Sequence, residues 1–144
     1  MPELLIRPAT DADAAELARL NGLFNGATLT PGEQAEHLRA AARTERALLA
    51  RVDGRAIGFT CLRFARLITN ALPYAEVTEL FVEEAFHRRG IARALLAEAE
   101  ALARDLGAPG VILFTGLKNE TAQAFYRAVG YHDYAITMRK VFGE

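Results

Sequence analysis

A mixed β-sheet with helices packed on it, an α/β (α+β) fold, is what the sequence predicts, and three observations predict it. Short apolar runs bounded by turn signals alternate with segments whose apolar residues recur at helical spacing. Two of the strand-like runs are joined by Asp53-Gly54, a dipeptide suited to a tight antiparallel hairpin. One later run, "GVILFT" at 110–115, is apolar throughout, as in a strand buried on both faces.

The elements follow in order. Leu4 to Arg7 is short and apolar and is stopped by Pro8, so it is a strand. Thr10 can cap a helix whose first turn holds Asp11 and Asp13, where the dipole favours anions. Ala14, Leu17, Leu20 and Phe24 continue at helical spacing, and Gly22 and Gly26 loosen the end. "TPGE" at 30–33 combines an N-cap Thr, a Pro at the first helical position and a Glu three after the cap, so a second helix runs to about Ala42. "RALLARV" and "RAIGFTCLRFARL" are the hairpin strands, 69–73 is a loop, and "YAEVTELFV" is a strand ending near Glu83. Ile91, Leu95, Ala99, Leu102 and Leu106 form the apolar stripe of a long helix closed by Gly107. After the 110–115 strand, Asn119 caps a last helix ending at Gly130, and "YHDYAITMRKVF" is a terminal strand. The order is β-α-α-β-β-β-α-β-α-β in a single domain spanning 1–144, without repeats or linkers.

The chain of 144 residues is 51% hydrophobic and 24% charged, as in an ordinary globular domain. A net charge of -1 gives no reason to expect a nucleic-acid partner. The lone Cys61 excludes a disulfide framework and a Cys-rich zinc site, and His37, His87 and His132 lack metal-ligand spacing, so no metal is expected. No apolar run approaches the ~20 residues of a membrane span, and "MPELLIRPAT" carries charges where a signal peptide is apolar, so the expectation is a cytoplasmic protein without membrane contact.

Chemistry concentrates at "FHRRGIAR". A helix start leaves backbone N–H groups without intrahelical partners, Gly90 lets a ligand approach the backbone, and Ala92 keeps the surface low. Arg88, Arg89 and Arg93 add positive charge to the positive end of the dipole. The combination suits a phosphate or pyrophosphate. Taken alone, a solvated basic helix start explains it equally well. The P-loop pattern G-x-x-x-x-G-K-[ST] and the dinucleotide pattern G-x-G-x-x-G are both absent.

His87-Arg88-Arg89-Gly90-Ile91-Ala92, with Val82 five residues before it, resembles the acyl-CoA motif Q/R-x-x-G-x-G/A of the GNAT superfamily, the Gcn5-related N-acetyltransferases. His87 departs from the usual Gln or Arg. Asn119-x-x-Ala122-x-x-Phe125-Tyr126-x-x-x-Gly130-Tyr131 is similar to the second family motif at every marked position. The resemblance covers nearly the whole chain. It implies a GNAT-like sheet whose central parallel strands splay apart. Acetyl-CoA is then the cosubstrate, with its pyrophosphate on the helix start from Arg88 to Arg93, through Gly90, Ile91 and Ala92. Its pantetheine arm would run beside Leu80, Phe81 and Val82, with Asn119, Phe125 and Tyr126 also on the coenzyme side. A backbone N–H near Leu80 would face the thioester oxygen.

The resemblance also implies roles. Transfer to an amine needs a free amine, a stabilised oxyanion and a proton for the leaving thiolate. Tyr126 is the candidate acid. A phenol near pKa ~10 giving its proton to a thiolate near ~8.5 is uphill by only about 2 kcal/mol. The plainer reading of Tyr126 is a half-buried aromatic. Adjacent helical residues point about 100° apart, so of Phe125 and Tyr126 one packs and one is free. Asn119 can act as a cap alone. Glu79 and Glu76 are the candidates for assisting amine deprotonation, Glu79 slightly favoured. In an unbroken strand they face opposite sides, and a bulge between them would change that. One of the two is then a plain surface carboxylate. The acceptor is a small-molecule or peptide amine, next to a loop "NGLFNGATLT" with Phe24 and Leu29 as its apolar content. Only about one strand's length follows Gly130, which leaves the acceptor side open or completed by a second subunit in a homodimer. The alternative is a noncatalytic acyl-CoA-binding sensor or partner module, which would have no chemical need for Tyr126 and the two carboxylates.

Overall fold

The structure, a computed structural model, describes residues 3–143. The chain divides after Leu113 into two compact units. The first holds a five-stranded sheet in the order β1-β2-β3-β4-β5. Its strands are Leu4–Pro8 (β1), Glu45–Val52 (β2), Arg55–Ala65 (β3), Tyr74–Val82 (β4) and Ile112–Leu113 (β5). The first four pair antiparallel and β5 joins β4 in parallel. The sheet is mixed, as the sequence indicates.

Local chemistry sets most boundaries. Asp11–Asp13 makes one 3-10 turn ahead of helix α1, Ala14–Asn25. The Thr10 N–H donates to Asp13 Oδ2 at 2.8 Å, which anchors that start. Helix α2, Pro31–Ala41, opens on a complete capping box: Glu33 N–H donates to Thr30 Oγ1 at 3.1 Å and Thr30 N–H to Glu33 Oε1 at 3.0 Å. The β2–β3 turn takes φ 51° at Asp53 and 82° at Gly54, both left-handed as a tight hairpin of this kind requires. Helix α3, Ile91–Asp105, crosses from β4 to β5.

Registry divides the sheet into two faces. Leu49, Phe59 and Phe81 are opposite one another on β2, β3 and β4; so are Ala47, Cys61 and Glu79; so are Glu45, Arg63 and Glu76. This face meets α1 and α2. Leu17 and Leu20 join Leu49, Ala56 and Phe59 in one buried cluster, with Leu38, Ala47, Cys61 and Phe81 packed against it. Phe24 adds ring contacts to Phe59 and Phe81 at 6.0 and 5.5 Å between centroids. Arg51 ties α1 to the same face through Asp13 Oδ1 at 2.5 Å and Glu16 Oε1 at 2.6 Å. The opposite face, with Leu48, Leu62, Val77 and Val82, is buried beneath α3, whose Ile91, Leu95, Leu96, Ala99 and Ala103 are buried in turn. Gly58, opposite Val82, permits the close approach of β3 and β4: a Cβ there would stand 2.7 Å from the Phe81 carbonyl oxygen.

Two expected strands differ. The apolar run 110–115 forms only the two-residue β5, half-buried rather than covered on both faces, and Phe114 is 56% exposed. A strand persists only while it has a ladder, and β5 has β4 alone as neighbour, for two residue pairs. The expected terminal strand within 131–142 is not a strand. Tyr134, Ile136, Met138 and Phe142 are all exposed there. Their alternation meets a pleated sheet's demand, but without a pairing partner the backbone has no reason to extend.

The second unit, from Phe114, contains helix α4, Glu120–Ala128. Asn119 caps it, Oδ1 accepting from Ala122 N–H at 3.1 Å, and Gly130 leaves it at φ 103°. Arg127 grips Asp133 through both carboxylate oxygens at 3.0–3.1 Å.

Candidate active site

The first feature is the gap left by β5. It pairs with β4 only at Glu76↔Ile112 and Val77↔Leu113, so from Thr78 to Val82 that edge of β4 has no β5 partner. Unpaired N–H and C=O groups on such an edge are a template for an extended ligand. Leu80, Phe81 and Val82 lie along it, and the parallel pair separates after two residues.

The second feature is a bulge in β4. Cys61 is opposite Glu79 and Leu62 opposite Val77, so Thr78 is the extra residue. It resets the alternation. Glu76 and Glu79 therefore share one face of the sheet, the face of Arg63 and Cys61, instead of pointing oppositely as in a regular strand. Their surroundings differ. The Tyr74 hydroxyl donates to Glu76 Oε1 at 2.7 Å. Burial, then that hydrogen bond and the Glu76 charge, push the Tyr74 phenol up to about 12, against a smaller opposing effect of Arg63. Glu76 is thus already engaged. Among the described residues Glu79 accepts only from the neighbouring Thr78 hydroxyl, at 2.5 Å, and it lines a cavity.

That cavity, ≈ 500 Å³, lies between α1, α2 and the sheet. Leu17, Leu29, Leu38 and Phe59 make its apolar wall, and Glu79, Glu45, Gln34 and His37 its polar points. Cys61 is also in the wall. Burial pushes its thiol far up, and the carboxylates of Glu79 and Glu45 push it further. It stays protonated at neutral pH. The α1–α2 loop contributes as expected through Leu29, whereas Phe24 is spent in the aromatic cluster. Sequence reading missed Gln34, His37 and Glu45. The available signal was helical spacing: Gln34, His37, Leu38 and Ala41 follow i, i+3, i+4, i+7 on α2.

The third feature is the start of α3. Gly90 is its N-cap at φ 75°, and the position a Cβ would take is open, with nothing within 4 Å. Arg88 is also left-handed, at φ 64°. Two left-handed residues thus precede the helix, whose first-turn N–H groups have no intrahelical partner, and a helix start of this kind can bind an anion. Arg88, Arg89 and Arg93 are exposed around it, while Ile91 is buried and anchors the helix. The Arg89 guanidinium lies 5.1 Å from the Phe86 ring centre. His87 has a structural use: its Nε2 donates to the Val82 carbonyl at 2.6 Å, tying the end of β4 to the loop.

On α4, Phe125 and Tyr126 are both half-buried, their rings 5.3 Å apart, and Tyr126 also meets Tyr131 at 5.9 Å. Neither is the free one of the pair. Burial raises the Tyr126 phenol, so it holds its proton at neutral pH. Its hydroxyl makes no hydrogen bond among the described residues.

The β4 edge beyond its two pairs with β5, the bulge beside it and the left-handed start of α3 are the features of the candidate site, and comparisons with known proteins give the family. The model of the acetyltransferase (GNAT) family matches residues 15–131, and the chain belongs to that family. An N-acetyltransferase of Mycobacterium tuberculosis, itself uncharacterized, is 35% identical over 108 residues, 75% of this chain and 65% of that protein. The chain thus spans about two thirds of the length of these mycobacterial relatives. An aminoglycoside N(6')-acetyltransferase type 1 of Stenotrophomonas maltophilia is 32% identical over 132 residues, 89% of this chain and 86% of the relative. Among solved structures, the aminoglycoside N-acetyltransferase AAC(6')-Iy in complex with CoA superposes with a TM-score of 0.83 at 19% identity, covering 97% and 96% of the two chains, a likeness of fold. Among the described residues no group of three His, Cys, Asp or Glu side chains could hold a metal ion, and no helix is long and apolar enough to cross a membrane.

Proposed function

We propose that the chain is a single acetyltransferase domain that transfers the acetyl group of acetyl-CoA to an amine by direct attack. The observation that carries the reading is the conjunction on β4: an edge with no β5 partner from Thr78 to Val82, beside a bulge that turns Glu79 into the α1–α2 cavity. The first-turn N–H groups of α3 bind the pyrophosphate, with Gly90 keeping the approach open and Arg88, Arg89 and Arg93 supplying charge. Pantetheine pairs along the β4 edge, and Asn119 and Phe125 flank it on the coenzyme side. A β4 N–H near Leu80 supports the oxyanion.

Glu79 is the carboxylate that assists loss of the amine proton, directly or through water. Among the described residues its side chain bonds only to the Thr78 hydroxyl, whereas Glu76 is held by Tyr74. Tyr126 donates to the departing thiolate; burial raises its phenol, so it acts by hydrogen bonding to the developing thiolate more than by full proton transfer. The acceptor is an amine in solution rather than nucleic acid or lipid, and the expected setting is the cytoplasm. The aminoglycoside acetyltransferase relative supports an amine-rich small molecule. The test is release of free thiol from acetyl-CoA across an amine library, run with and without EDTA. Thiol release dependent on an amine and insensitive to EDTA supports the reading. Coenzyme A binding without transfer to any amine favours the sensor module.

A further inference from the structure

The acceptor cavity contains more polar recognition than one reacting amine uses. Gln34 is 7% exposed, and its Oε1 is buried with no hydrogen-bond partner. A buried acceptor left unpaired is destabilising, and native proteins rarely keep one without a use. Gln34 lines the cavity from α2, so an occupant carrying an N–H or O–H is the natural partner. Asn21 and Asn25 line the same cavity, and their side-chain oxygens are already engaged: Asn25 Nδ2 donates to Asn21 Oδ1 at 2.8 Å, and Asn25 Oδ1 accepts from Ala27 N–H at 2.9 Å.

Glu45 is the second point. It lies on the same sheet face as Glu79, two strands away and two residues beyond the Ala47–Cys61–Glu79 row. Strand spacing and rise put their Cα atoms roughly 12 Å apart. The Cys61 thiol between them feels both charges. Of the cations nearby, Arg46 lines the cavity, but its guanidinium donates to the Ala42 and Glu45 carbonyls and stacks 5.0 Å from the Phe64 ring centre. Arg63 faces Glu45 across the ladder without forming an ion pair with it. His37 lies on the same wall.

We infer that Glu45 and Gln34 are specificity-determining residues for a polyamino acceptor. The reacting amine sits at Glu79, a second ammonium of the same molecule lies against Glu45, and a further N–H or O–H donates to Gln34 Oε1. The inference rests on the transferase reading, and it adds that a monoamine fills the cavity poorly.

The test compares kcat/KM for a series of α,ω-diaminoalkanes with that for monoaminoalkanes of matched length. Two carboxylates at fixed separation predict a maximum at one diamine length, at least about 10-fold above the matched monoamine, the size expected of a charge-assisted contact. In Glu45→Gln the maximum flattens and the ratio falls towards one, with coenzyme A affinity as the control for folding. Gln34→Leu raises KM for amino alcohols and hydroxylated diamines about 10-fold without lowering the melting temperature, because it removes an unpaired polar atom. A lowered melting temperature with unchanged KM would make Gln34 structural and overturn its assignment. Equal rates for diamines and monoamines would overturn the inference and leave the transferase standing. Should coenzyme A fail to bind, the transferase reading falls. Calorimetric binding of the diamines to the protein alone still decides the inference: it holds if they bind at one preferred length and Glu45→Gln abolishes this, and fails if they bind no better than monoamines.

Discussion

The start of α3 and the bulged β4 strand are the two halves of the proposed site, and they are built on opposite principles. The α3 start is local. Its chemistry comes from consecutive residues, Arg88 to Arg93, and from backbone groups that any helix start leaves free. The acceptor side is long-range. Glu79, Glu45 and Gln34 come from β4, β2 and α2 and meet only because three strands pair in one register. A local site tolerates variation in side chains but not in backbone conformation. A long-range site is sensitive to both, since a one-residue slip turns its carboxylates over to the other face.

The largest expected effect breaks the local half. Gly90→Val forces a β-branched residue into φ 75° and puts a side chain in the space open to the ligand. We expect coenzyme A binding to weaken more than about 100-fold, which amounts to roughly 3 kcal/mol, together with a loss of stability of about 1–3 kcal/mol from backbone strain. Thermal melting with and without acetyl-CoA measures both. Unchanged coenzyme A affinity would remove the pyrophosphate from α3.

Next is Tyr126→Phe. The ring contacts to Phe125 and Tyr131 survive and one hydroxyl is lost. Turnover should fall about 100-fold with coenzyme A affinity little changed, as for a group acting mainly in the transition state. Stability should move by under about 1 kcal/mol. Equal activity would make Tyr126 a packing residue.

The long-range half is sharpened by paired substitutions. Glu79→Gln should lower kcat/KM by about 10-fold or more, since a carboxamide accepts no proton. Glu76→Gln should stay within about 3-fold, because its partner Tyr74 holds it away from the amine. A reversal of this order would exchange the two roles.

The smallest effect concerns the tie between α1 and the sheet. Burial opposes ionisation of Asp13 and Glu16, but hydrogen bonds from Thr10, Ala56 and Arg51 and the Arg51 charge outweigh it and lower both pKa values. A lowered folded pKa means the unfolded chain binds protons first. The contribution to stability is therefore complete above the ordinary values of 3.8 and 4.5 and is lost as pH falls below them. Melting temperature against pH should show that decline, and Arg51→Met should flatten it. An unchanged slope would assign acid sensitivity elsewhere.

By itself the sequence determined what depends on near neighbours. The Thr30–Glu33 capping box, the Asp53-Gly54 turn, the Gly90 helix start and the Asn119 cap each need only residues within a few positions, and each stands where its pattern put it. The motifs at 87–92 and 119–131 are likewise contiguous, which is why family and coenzyme class were legible. Tertiary structure alone decided three things. The Thr78 bulge set Glu76 and Glu79 on one face, because a bulge is fixed by the mismatch of two strands rather than by either strand's residues. The β4–β5 ladder ends after two residue pairs, so the 110–115 run holds a strand of only two residues, and among the described residues 131–142 joins no ladder, although both runs have strand-like composition. The α1–α2 cavity, with Gln34 and Glu45, arose where helix and sheet faces met. Hydrogen bonds within a helix turn close over a few residues, whereas a β-ladder and a cavity wall join residues far apart in sequence, and no local pattern encodes those partners.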